Sequence, residues 1–117
     1  SLAGLLVVET YFLEPDLFDT YIAFDPSIWW NDAHLVTTAP QRMARGNTAA
    51  KTLYVASSNE KEIADLTKKL TDILAQQAGS NLKLHYVPMP AESHGTIYHP
   101  AALMAFRTLF KPAPTPQ

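Results

Sequence analysis

Cysteine is absent from the 117 residues, which excludes disulfides and thiolate chemistry and leaves the compartment, cytoplasmic or periplasmic, open. Basic runs are absent too: 9 Lys and Arg are spread thinly against 11 Asp and Glu, for a net charge of −2. That balance argues against a nucleic-acid or anionic-membrane partner. No apolar stretch approaches the roughly 20 residues needed to span a bilayer. No basic-then-apolar stretch reads as a leader, and what precedes Ser1 is left open. With 4 glycines there is no Gly-rich phosphate loop, and the histidines and carboxylates lack the paired spacing of a zinc or calcium site. Neither a metal nor an organic cofactor is expected.

What is present is a chain 47% hydrophobic, enough for one domain with a modest core. Leu2 to Leu13 is apolar on nearly every side and reads as a helix buried all round, stopped by Pro15. Tyr21 to Phe24 and Leu53 to Ala56 are short continuous apolar runs that read as strands, and Leu82 to Val87 reads as a third strand. Between the last two, Ile63, Leu66, Leu70, Ile73 and Leu74 recur at helical spacing, with Asn59 placed to cap that helix and Gly79 to end it. Pro100 suits the first turn of a last helix carrying Leu103, Met104, Phe106, Leu109 and Phe110. Trp29 to Lys51 reads as irregular, and residues 112–117, with three prolines, have linker composition. The expected organisation is a domain over 1–111 followed by a short tail.

Strands alternating with helices predict an α/β fold on a parallel sheet, whose functional groups collect beyond the carboxyl ends of the strands. Those ends carry Asp25, Glu60 and His94 in turn. His94, within Ser93-His94-Gly95, falls in a loop, where an imidazole is well placed to act as a general base. His85 lies inside a strand and His99 precedes a helix, so both read as structural, and His34 has no comparable setting.

Ser1-Leu2-Ala3-Gly4 ahead of an apolar helix resembles the second half of a nucleophile elbow, in which a serine sits on a sharp strand-to-helix turn. With it, residues 15–19 (PDLFD), Asp25-Pro26-Ser27-Ile28-Trp29-Trp30 and Glu92-Ser93-His94-Gly95-Thr96, in that order, resemble the α/β-hydrolase esterase family that includes the enterochelin and salmochelin esterases. Ala3 stands where that family usually has glycine, and Asp25 where it often has serine.

The resemblance implies the C-terminal half of an α/β-hydrolase fold whose N-terminal strands lie outside these residues. An exposed strand edge is then expected, to be covered by self-association or by the other half. It also implies a serine hydrolase acting on small-molecule carboxylic esters. Ser1 would be the nucleophile, His94 the base, and the Leu2 backbone N–H a donor to the oxyanion. Glu60 is the first choice for the orienting acid, because hydrolases of this kind commonly place it there. Glu62 has capping-box spacing from Asn59, which gives it a structural task, and Asp25 stays open. Trp29 and Trp30, directly after a strand end, are candidates to line an acyl or aryl pocket.

Two other readings stand beside the esterase. One is a non-catalytic hydrolase-like module that binds or assembles through its sheet edge and the tryptophan pair. The other is a hydrolase using Ser1's own amine as base, disfavoured because that class builds antiparallel sheets.

Overall fold

The computed structural model describes residues 1–44, 50–77, 81–112 and 114. Three strands, β1 (Thr20–Phe24), β2 (Lys51–Ser57) and β3 (Leu82–Pro88), form a sheet in the order β1-β2-β3, parallel at both junctions. Helix α1 (Leu2–Leu13) and a 3₁₀ turn (Pro15–Leu17) precede β1. Helices α2 (Trp30–Ala44) and α3 (Lys61–Gln77) make the two crossovers, and α4 (Tyr98–Leu109) follows β3.

The continuous apolar character of the middles of β1 and β2 follows from burial on both faces, whereas β3 is only partly buried. Successive side chains alternate across a strand, so Tyr21 and Ala23 of β1 and Leu53 and Val55 of β2 share one core with Leu5, Val8 and Tyr11 of α1 and Leu70 and Leu74 of α3. Their neighbours Ile22, Phe24, Tyr54 and Ala56 face the other way, towards Ile97, Ala101 and Ala105 at α4. Each face is therefore closed by helices, with the sheet as a shared middle layer.

Two expectations need correction. Helix α1 is not buried all round: Leu5, Val8 and Tyr11 are buried, whereas Leu2, Leu6 and Leu13 are exposed, because α1 meets β1 and α2 along one side only. The stretch from Trp29 is not irregular either. Trp30–Ala44 is helical apart from its left-handed start, with Leu35 and Ala39 buried and Val36 and Met43 packed beside them, and residues 45–49 lie outside the described residues. Pro40 inside the helix and the left-handed residues Asn31, Asp32 and Ala33 (φ 53°, 54° and 56°) disguise that periodicity. Gly79 lies outside the described residues, as does most of the 112–117 tail.

One side of the sheet ends is pinned by Gly4. A Cβ there would lie 3.0 Å from Pro26 Cα and 3.1 Å from the Phe24 carbonyl oxygen, so α1 crosses β1's exit so closely that any side chain would push the backbone of that exit away. Gly4→Ala is expected to lower stability by about 1–3 kcal/mol, the range for overpacking a close contact. Denaturant unfolding of the full-length variant checks it, and an unchanged midpoint contradicts the close approach.

Candidate active site

The parallel register delivers the polar groups. Phe24 pairs with Ala56 and Ser57 with Pro88, so the residues that leave β1, β2 and β3 emerge side by side at one edge. Asp25 follows β1 with a left-handed φ of 47°, a conformation disfavoured for a side chain with a Cβ and held here by an Asp25 N–H to Ala56 carbonyl bond of 2.8 Å. Ser58 follows β2. His94 arrives from the loop after β3, which is anchored by Met89 N–H to the Ser57 carbonyl (2.7 Å) and Asn59 N–H to the Glu92 carbonyl (2.9 Å).

His94 Nδ1 lies 2.7 Å from Asp25 Oδ2. The carboxylate is 0% exposed and the imidazole 42%, an arrangement that fixes one ring nitrogen and presents the other to the surface. An ionised Asp25 is acceptor-only, so the shared hydrogen is carried by Nδ1, and in the neutral imidazole this leaves the lone pair on Nε2. Asp25 is further held by Ser58, whose backbone N–H donates to Oδ1 at 2.6 Å and whose hydroxyl donates to Oδ2 at 2.5 Å. The other flank of the imidazole meets the ring of Tyr98 edge-on, with centroids 5.9 Å apart. The loop itself is tight: Thr96 Oγ1 accepts Ser93 N–H at 2.9 Å, and the Ser93 carbonyl accepts Thr96 and Ile97 N–H.

Ser1 joins this edge through its main chain. Its nitrogen donates to the Asp25 carbonyl oxygen and reaches the Tyr98 hydroxyl at 3.5 Å, and its carbonyl accepts Ser27 N–H at 3.1 Å. Leu2 opens α1, so its N–H belongs to the first turn that has no intrahelical acceptor.

Glu60 does not meet the imidazole; Asp25 occupies that position. Glu60 is exposed at the head of α3 and enters the network through its backbone, donating its N–H to Ser58 Oγ at 3.1 Å while its carbonyl accepts Ala64 N–H. The hydroxyl at the start of α3 is thus Ser58's, where Asn59 was expected. Ser58 is the member of the site that the sequence reading missed; its only signal was a small polar residue directly after a buried strand. Trp29 and Trp30 are 45% and 57% exposed, with ring centroids 6.5 Å apart and an edge-to-face angle of 64°. Among the other histidines, His85 stacks on Tyr54 within the sheet at 5.8 Å, while His34 and His99 are exposed on α2 and α4.

Strands joined in parallel by helices, with polar groups gathered past their carboxyl ends, define an α/β protein, and its solved neighbours are hydrolases of the α/β type. The chain resembles the siderophore esterases among them. It is 25% identical over 119 residues, 96% of this chain and 41% of the relative, to the ferri-bacillibactin esterase BesA of Bacillus subtilis. It is 44% identical over 39 residues, 33% of this chain and 13% of the relative, to the siderophore enterobactin esterase of Emericella nidulans. Among solved structures, an IroE-like serine hydrolase from Shewanella oneidensis superposes with a TM-score of 0.81 at 27% identity, over 92% of this chain and 37% of that one. The chain therefore spans less than half the length of these relatives. No family profile matches it.

Proposed function

We propose that this chain supplies the nucleophile, base and acid of a serine hydrolase that cleaves carboxylic esters of the siderophore type. The observation that carries the reading is the His94 Nδ1 to Asp25 Oδ2 contact of 2.7 Å, with the carboxylate wholly buried and the imidazole open on its other side. Such a pair leaves Nε2 as the base, in the tautomer a serine needs.

In the proposed cycle Ser1 Oγ attacks the ester carbonyl while His94 Nε2 takes its proton, and the imidazolium is stabilised by Asp25. The Leu2 N–H, at the positive end of α1, donates to the oxyanion. The alkoxide leaves with the proton from Nε2, and water then repeats the sequence to free Ser1. Asp25 replaces Glu60 as the acid. The exposed Trp29-Trp30 pair offers flat apolar faces to an acyl or aryl group, which fits the relatives' siderophore substrates.

The free edge of β1 and the exposed leucines of α1 support covering by further chain or by a second copy, since an open strand edge with apolar neighbours invites pairing. Ester turnover by the full-length protein, compared with its His94→Ala variant, tests the assignment. Turnover insensitive to that change would remove His94 as the base, and absence of ester turnover in the parent would transfer the reading to the binding module.

A further inference from the structure

We infer that Ser58 is a positioning residue for the acid, coupling the start of α3 to the Asp25–His94 pair. The inference rests on the reading of those two residues as acid and base. Ser58 is 4% exposed, and both its N–H and its hydroxyl meet Asp25. Its N–H donates to Asp25 Oδ1 at 2.6 Å, its hydroxyl donates to Asp25 Oδ2 at 2.5 Å, and the same oxygen accepts Glu60 N–H at 3.1 Å.

A hydroxyl has one hydrogen, and an ionised carboxylate has none. The Ser58 proton is therefore committed to Asp25, and the lone pair to the backbone N–H at the head of α3. That N–H sits at the positive end of the α3 dipole and polarises the hydroxyl it donates to, which strengthens the next bond in the row. Asp25 Oδ2 thus receives two hydrogens, one from Ser58 Oγ and one from His94 Nδ1, while Oδ1 is held by the Ser58 main chain. Without the hydroxyl, Oδ2 keeps the imidazole as its single donor, and rotation about the Cβ–Cγ bond is resisted only by the Ser58 N–H on Oδ1 and by His94 itself. The imidazole bond is then less firmly aligned.

A helix-start group alone would affect only folding, so the test needs readouts that stability does not move. In the full-length protein, Ser58→Ala is expected to lower kcat on an ester substrate by about ten- to a hundredfold with little change in KM, the scale of a misplaced catalytic group. It should also shift the downfield proton signal of the His94 Nδ1–H in the NMR spectrum. His94→Ala is measured in parallel and should abolish both turnover and signal. If Ser58→Ala leaves kcat or the proton signal unchanged while His94→Ala is inactive, Ser58 has no positioning role and the inference fails. Activity in His94→Ala would instead defeat the underlying assignment of the base. Should Ser58→Ala not fold, Ser58→Cys keeps the shape but donates weakly. A several-fold lower kcat then supports the coupling, and an unchanged one overturns it.

Discussion

Replacing His94 by alanine in the full-length protein is expected to lower ester turnover by a factor on the order of 10⁴ or more, with folding intact. The size follows from what the side chain does in the proposed cycle. Without Nε2 no group accepts the Ser1 proton during attack, and none returns it to the leaving alkoxide. The fold should tolerate the loss because the imidazole is 42% exposed and belongs to a loop whose turn is held by Ser93 and Thr96 rather than by the ring. Steady-state kinetics with a melting curve on the same sample checks both halves. A variant that keeps more than about a tenth of the parent's turnover, far above a triad loss, would remove His94 from the mechanism.

Asp25→Asn is expected to be nearly as severe, on the order of 10⁴-fold, while Glu60→Gln should leave turnover within about twofold of the parent. The asparagine preserves shape but brings two amide hydrogens to a position already supplied with donors, from Ser58 N, Ser58 Oγ and His94 Nδ1. To avoid opposing hydrogens the imidazole must move its own to Nε2, which is the wrong tautomer for a base. Glu60 acts through its backbone N–H, and glutamine retains that bond. Loss of turnover on Glu60→Gln, with Asp25→Asn unaffected, would restore the acid to the head of α3.

The strands, helices α1, α3 and α4 and the loop position of His94 were legible because they depend on local pattern: apolar runs, 3.6-residue spacing and a proline near a helix start. The acid was not. Asp25 and Glu60 both follow a strand, and only the register that sets Phe24 beside Ala56 shows that Asp25 turns inward onto Ser58. Position along the chain favoured Glu60; distance in space brings Asp25 to the imidazole. All of α2 was hidden for a different reason, since it contains Pro40 and its left-handed start at Asn31, Asp32 and Ala33 carries no glycine to announce it. α1 misled in the opposite sense, because apolar composition reports what a surface can pack against and not whether a neighbour is there.

The claim on which the rest depends is that Ser1 is the residue His94 and Asp25 activate. A fluorophosphonate modifies only a serine whose hydroxyl is deprotonated by an adjacent base, so mass-spectrometric mapping of the modified residue in the full-length protein tests it most directly. The account predicts a single adduct on Ser1, formed rapidly in the parent and lost in His94→Ala. An adduct on another serine, or none on Ser1 while ester turnover persists, would contradict it.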